Sequence, residues 1–269
     1  MFPTCKYQFL RDASSYSPPI PVTTSMYAQE KIKPYEGNSH KREQVEQLFE
    51  NIAPTYDTLN HTLSFGFDRA WRRKAIKTLA TYSPAAVLDV ATGTGDFALA
   101  IARKLRLRHV VAADISEGMM RVGREKAVRE GLHDAVCFQK EDCSHLSFAD
   151  DCFDAVTITF GVRNFEDLDA CLCETRRVLR KGGHLVLLEL SYPHNPLWRA
   201  LFTIYSKVVM PVVGRLISGD DSAYTYLPET MKAFPQGEVM RETLLKNGFS
   251  KATFHRLTMG ICTLYVAEK

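Results

Sequence analysis

Hydrophobic positions follow two regimes along the chain. Between Arg42 and Pro54 the apolar residues Val45, Leu48, Phe49 and Ile52 recur at helical spacing, and Phe67–Leu79 repeats the pattern with Trp71, Ala75, Ile76 and Leu79 on one stripe. Both segments predict amphipathic helices. After residue 82 the pattern changes to short apolar runs alternating with charged helical stretches. The runs predict strands at Ala86–Ala91, Val110–Asp114, Ala135–Gln139, Ala155–Phe160 and Leu185–Leu190, with helices near Phe97–Lys104, Glu117–Glu130 and Asp167–Leu179. Strands separated by helices specify βαβ units, hence a mostly parallel sheet with right-handed crossovers. The last two runs, Ala252–Leu257 and Cys262–Ala267, are parted only by a Met-Gly turn region. So short a connection permits a hairpin, which makes the C-terminal strand antiparallel. The fold class is α/β, Rossmann-like, with an N-terminal helical cap.

A length of 269 residues suits one large α/β domain. Residues 1–40 are expected to form a loosely ordered extension and 41–269 a single domain, with cap helices over 41–82 and a lid insertion at about 192–235. Pro18, Pro19 and Pro21 among serines and threonines cannot bury much surface. Met26 is a second candidate start, and the competing reading of Met1–Ser25 is a weak organellar presequence carrying Lys6 and Arg11. A net charge of +3 is too small to imply nucleic acid. No stretch approaches the ~18 apolar residues of a spanning helix, and no secretory h-region is present. The expected setting is cytoplasmic, with peripheral contact at the inner face of a membrane and a homodimer both left open. The seven cysteines show no metal-ligand spacing, so free buried thiols are expected and no metal.

Candidate chemistry concentrates in Val87-Leu88-Asp89-Val90-Ala91-Thr92-Gly93-Thr94-Gly95-Asp96, a buried strand entering a glycine turn and a helix. Gly93 and Gly95 let the backbone take positive φ and approach a ligand closely. The turn presents N–H groups near a helix N-terminus, which suits an anionic group. Asp114 ends the next strand, where a carboxylate can accept from both ribose hydroxyls of an adenosine. Asp142 follows the third strand and can accept from the adenine amino group. The glycines alone also fit a dinucleotide site. Asp89 inside the first strand favours S-adenosylmethionine, whose α-ammonium group it could help hold; the plainer alternatives are local capping by Asp89 and a solvated strand end at Asp114.

Four motifs carry a resemblance to the UbiE/COQ5 family of quinone C-methyltransferases, from Gln44 to Lys269. Tyr56-Asp57-Thr58-Leu59-Asn60-His61-Thr62-Leu63-Ser64 with Trp71 is similar to the first family signature, with Leu59 in place of a commoner Met and Asp68 in place of a His. Arg177-Val178-Leu179-Arg180-Lys181-Gly182-Gly183-His184-Leu185, continuing to Glu189-Leu190-Ser191, is similar to the second, with Lys181 in place of Pro. Phe160–Phe165 and the Tyr224–Pro235 stretch add to it. The resemblance implies a seven-stranded class I methyltransferase fold, with the cofactor on Thr94, Asp114, Asp142, Cys143 and Thr159. It implies a prenylated quinol substrate, either a demethylmenaquinol or a methoxy-polyprenyl-benzoquinol. Lys31–Tyr35 and Asn51–His61 resemble the menaquinone branch of Bacteroidetes-type bacteria.

Such a transfer needs a carbon nucleophile aligned with the S–CH3 bond within roughly 3–3.5 Å. A phenol with pKa ~10 needs a base or a stabilising cation at neutral pH. Arg163 is expected to stabilise the phenolate or orient a water; its structural alternative is pairing with Glu166 or Asp167. Tyr56, with Asp57, could close over the cofactor, or lock a turn after Pro54. His61 is a candidate base, or a satisfied turn residue. The apolar stripe Leu197, Ala200, Leu201, Ile204, Val208 and Val209 is either core or a lid for the prenyl chain and the membrane surface. Rival readings are a methyltransferase of another small acceptor, a non-catalytic scaffold of quinone biosynthesis, and a dinucleotide oxidoreductase.

Overall fold

Alternate residues of each central strand enter opposite core layers, as the two-residue period of a pleated strand requires. In the computed structural model, which describes residues 27–210, 212–213 and 221–269, the strands are β1 (Val87–Val90), β2 (Val110–Asp114), β3 (Val136–Lys140), β4 (Phe153–Thr159), β5 (Leu179–Leu190), β6 (Lys251–Leu257) and β7 (Cys262–Glu268). Leu88, Val90, Val111, Val156, Ile158 and Leu187 point into one layer. Val87, Val110, Ala112, Ala155, Val186 and Leu188 point into the other. Burial on both faces explains why these strands read as continuous apolar runs. Full burial of each large aliphatic side chain contributes about 1.5–3 kcal/mol.

The sheet order is β3-β2-β1-β4-β5-β7-β6. Pairing is parallel from β3 to β5, and β7 runs antiparallel to both β5 and β6. The C-terminal strand is antiparallel as expected, but it slots inside the sheet and leaves β6 at the edge.

The cap consists of α1 (Lys41–Ile52), α2 (Tyr56–Leu63) and α3 (Phe67–Ala80). Around the sheet follow α4 (Asp96–Leu105), α5 (Glu117–Arg129) and α6 (Leu168–Val178); α7 (Pro196–Ile204), α8 (Asp221–Ala233) and α9 (Glu238–Lys246) come later. Ser116 and Asp167 cap α5 and α6 by accepting from the N–H groups of Met119 and Ala170, replacing orphaned helix-terminal bonds. Trp71, Ile76 and Leu79 seat α3 on one sheet face beside Phe97 and Ile101 of α4. Leu168 and Leu172 of α6, with Met240 and Leu244 of α9, cover the other. A satellite cluster of Val45, Leu48, Ile52 and Leu59 packs the cap against Tyr226 of α8.

Residues 27–40 depart from the loose extension expected of them. Gln29 is fully buried, Tyr27 Oη donates to Asp169 Oδ1 at 2.8 Å, and Glu30 accepts from the Leu168 N–H at 2.9 Å. The readings of Met1–Ser25 and Met26 lie outside the described residues. Cys152, Cys173 and Cys262 are free thiols, and Cys143 lies sulfur to sulfur against Cys171. The turn after β3 and the first turn of α6 place their Cα atoms 5.0 Å apart, a proximity invisible in their sequence separation. Among the described residues no cluster of His, Cys, Asp or Glu could hold a metal, and no helix is long and apolar enough to cross a membrane.

Candidate active site

Where the strand order reverses between β1 and β4, an open α/β sheet leaves a crevice at its C-terminal edge. The β1–α4 turn enters that crevice with Gly93 at φ 57° and Gly95 at φ 75°. A Cβ on Gly95 would stand 2.7 Å from the Phe138 ring, so only glycine packs there. The Gly93 N–H donates to Asp114 Oδ2 at 2.7 Å, and the Ser116 N–H donates to Asp114 Oδ1 at 2.9 Å. The carboxylate at the end of β2 thereby fixes the turn. Burial pushes the Asp114 carboxyl above its ordinary range against these two bonds.

A first cavity, open to solvent at its mouth, is lined by Gly93, Asp114, Asp142, Cys143 and Thr159. Asp142 accepts from the Ser144 N–H and hydroxyl at 2.9 and 2.7 Å and from Arg42 Nη1 at 2.5 Å. Burial raises its carboxyl, but these bonds together prevail and hold it below its ordinary value. Asn164 also lines the cavity, and its Oδ1 is buried without a partner. An orphaned acceptor beside two carboxylates and a glycine turn fits a ligand rich in donors, as an adenosyl amino acid is.

Three expected cofactor residues lie outside that lining. Asp89 is fully buried and accepts from the hydroxyls of Thr157 and Thr92 at 2.5 and 2.6 Å. It sits under the turn, bonded through these hydroxyls rather than through backbone N–H groups. Burial pushes its carboxyl up to about 6, opposed by both hydroxyls. Thr94 donates to Asp57 Oδ1 at 2.6 Å, joining the turn to α2. Gly95 serves packing at the α4 N-terminus.

A second cavity, likewise open at its mouth, adjoins the first and is mainly apolar, with Leu63, Trp71, Leu201 and Phe202 in its walls. Tyr56 and Phe160 line both cavities, so they form the partition. Burial pushes the Tyr56 phenol above its ordinary value despite Arg163 and Asn60, leaving it protonated and a hydrogen-bond donor at neutral pH. Arg163 lines the second cavity, not the first. Its structural partner is neither Glu166 nor Asp167: Nη1 donates to Glu189 Oε1 at 2.6 Å and to the Phe160 carbonyl at 2.5 Å. Arg163 Nε is buried without a partner. The pair arises because β4 and β5 are adjacent, which sequence distance conceals; the only signal was Glu189 within the second signature.

His61, the candidate base, lines neither cavity. Its Nδ1 sits 2.8 Å from Asp68 Oδ2, and its Nε2 3.8 Å from Asp96 Oδ2. Lys41 was missed altogether. It is buried with its Nζ 2.6 Å from the Gln29 carbonyl and at 3.5 and 3.4 Å from those of Arg163 and Phe165, so it steadies the loop carrying Arg163. Burial lowers its ammonium to about 8, resisted by Glu30 and Glu166.

A glycine turn after β1, carboxylates after β2 and β3, and this strand order define a Rossmann-like methyltransferase. The chain belongs to the ubiE/COQ5 methyltransferase family, which matches it over residues 37–269. A demethylmenaquinone methyltransferase of Bacteroides fragilis is 59% identical over 90% of this chain and 99% of its own length. One from Porphyromonas gingivalis is 45% identical over 91% and 100%. A SAM-dependent methyltransferase of Thermotoga maritima superposes with a TM-score of 0.56 at 17% identity, covering 83% of this chain and 99% of that one, a likeness of fold alone.

Proposed function

We propose that this protein transfers the methyl group of S-adenosylmethionine to a ring carbon of demethylmenaquinol, completing a menaquinone. The observation that carries the reading is the junction of a carboxylate-lined cavity with a more apolar one across Tyr56 and Phe160. Two ligands of opposite character thereby meet at one wall. When bound, the cofactor supplies a methyl already activated by its sulfonium. Asp114 and Asp142 hold the nucleoside, and Gly93, Thr159, Asn164 and Cys143 shape its pocket. Asp89 and Thr94 act from behind the turn, one under it and one tied to the cap.

On the other side, Arg163 keeps its charge and lowers the cost of negative charge on the quinol oxygen. Glu189 keeps that guanidinium in place. Tyr56 orients the ring at the partition. The mouth of the apolar cavity continues onto Leu197, Leu201, Ile204 and Val208, which are 67%, 50%, 62% and 57% exposed, with Phe65 opposite at 74%. A surface so apolar beside a lipid-soluble substrate's entrance suits peripheral contact with a bilayer, aided modestly by Arg199 and Lys207.

The test pairs binding with turnover. S-adenosylmethionine should raise the melting temperature and NADH should not, and incubation with reduced demethylmenaquinone should yield a quinone carrying one more methyl by mass spectrometry. A thermal response to NADH alone would remove the cofactor reading. Methylation of a methoxy-polyprenyl-benzoquinol instead would move the substrate to the ubiquinone branch.

A further inference from the structure

Within the apolar cavity one acidic side chain stands out. Asp68 lies in the first turn of α3, is 3% exposed, and lines the quinol-side cavity. Its Oδ2 meets His61 Nδ1 at 2.8 Å and accepts from Arg72 Nη1 at 2.9 Å, while its Oδ1 accepts from the Ser64 hydroxyl at 2.7 Å. A carboxylate offers about four acceptor positions, so three partners leave one on Oδ1. His61 belongs to the far side: it lines a separate surface depression with Arg69, Arg73 and Lys77. The Asp68–His61 contact therefore joins the wall of the apolar cavity to the surface depression on its other side.

From this arrangement we infer that Asp68 receives the hydroxyl proton of the quinol and that His61, held against it, releases a proton to solvent as the carboxylate is neutralised. The inference rests on the quinol reading above. The step balances simply: the quinol O–H bond breaks and its electron pair stays on oxygen, where Arg163 stabilises the charge. The proton joins the free position on Asp68 Oδ1, while the Nδ1–H of His61 stays on Oδ2; His61, carrying both ring protons, loses the anion that faced it and releases its Nε2 proton outward. Imidazole is the side chain suited to taking up and releasing protons near neutral pH. The charged groups around the relay compensate one another: Arg72 bridges Asp68 and Asp96, and Lys126 pairs Asp96 with Asp57. Asp68 touches the substrate and is a catalytic residue. His61 acts through it and is a positioning and relay residue.

Two measurements test the relay. His61→Ala should lower kcat about 100-fold, the scale of general base catalysis, with S-adenosylmethionine affinity unchanged, and added imidazole should restore at least tenfold because the His61 site opens to solvent. The second uses 4-methoxy-1-naphthol, a tail-less ring with one ionisable hydroxyl, whose naphtholate absorbs to the red of the neutral form. Bound to the wild-type protein it should show the naphtholate band at pH 7, and bound to Asp68→Asn it should not. Turnover of His61→Ala within twofold of wild type, or a naphtholate band unchanged in Asp68→Asn, overturns the relay. A wild-type protein that methylates demethylmenaquinol yet leaves the naphthol neutral also overturns the relay and spares the substrate reading. One that ionises the naphthol through Asp68 but ignores demethylmenaquinol removes the substrate reading and spares the relay.

Discussion

The cofactor-side cavity is walled by a glycine turn and strand ends that backbone hydrogen bonds hold in place, whereas the quinol-side cavity is walled by side chains of α2, α3, α7 and α8 that meet only in the folded chain. In the first, several partners are local or on the adjacent strand end: Asp114 bonds Ser116 and the Gly93 turn, and Asp142 bonds Ser144, with Arg42 of α1 the distant exception. In the second, the decisive contacts are long-range, Arg163 with Glu189 and Tyr205 Oη with the Leu63 carbonyl. One region is built on a turn and strand ends; the other is assembled from side chains of several helices. Tyr56 and Phe160 belong to both, and the chemistry lies between them.

If the two regions are separate in function, Arg163→Ala should cost the most on one side and nothing on the other. Turnover should fall about 1000-fold, the upper range for losing one preorganised donor to a developing oxyanion, while calorimetry finds S-adenosylmethionine affinity unchanged. The variant also leaves Glu189 buried without its cation, a loss of about 3–5 kcal/mol, so Arg163→Met with Glu189→Gln should recover stability without recovering turnover. A parallel loss of cofactor affinity would break the comparison.

Smaller is the effect expected at the mouth. Leu201→Glu places a charge on the exposed apolar stripe and should raise KM about tenfold for a long-tailed quinol, while leaving the affinity for a tail-less naphthol within twofold. Equal losses for both would assign α7 to the ring pocket rather than to the tail.

The smallest effect concerns stability. With its carboxyl raised to about 6 by burial, above the ~3.9 of an unfolded aspartate, Asp89 binds its proton more tightly in the folded state. Protonated in both states, it contributes no pH dependence below about 4. Between about 4 and 6 stability must fall as pH rises, and the penalty is complete above the folded value. The ligand-free protein should therefore lose a few degrees of Tm across that window, a slope that Asp89→Asn reduces while Asp114 keeps its own share.

Much of the scaffold was readable before folding. The strand at Val110–Asp114 matches the predicted bounds, and the other predicted strands hold within a few residues except Leu185–Leu190, whose strand begins at Leu179. Strand β5 was read short because the Arg180–Gly183 segment looks like a turn, and the pairing with β4 shifts register there. Helix α2 was read as a signature and not as a helix, since Asn60 and Thr62 dilute its apolar spacing. Residues 1–40 read as a loose extension, yet Tyr27, Gln29 and Glu30 are held by Asp169, Lys41 and Leu168, partners distant along the chain.

The chain's own pattern of apolar and polar positions determined the parallel sheet, the glycine turn and the carboxylates at the ends of β2 and the turn after β3, because each of those signals is complete within about ten neighbouring residues. Tertiary structure alone decided that Asp89 is buried against Thr92 and Thr157, that Arg163 pairs with Glu189, that Cys143 meets Cys171, and that His61 meets Asp68 in the wall of the second cavity. Those outcomes depend on which strands lie side by side and which helix faces which cavity. Such distances are set by packing across the whole core, and no stretch of sequence encodes them by itself.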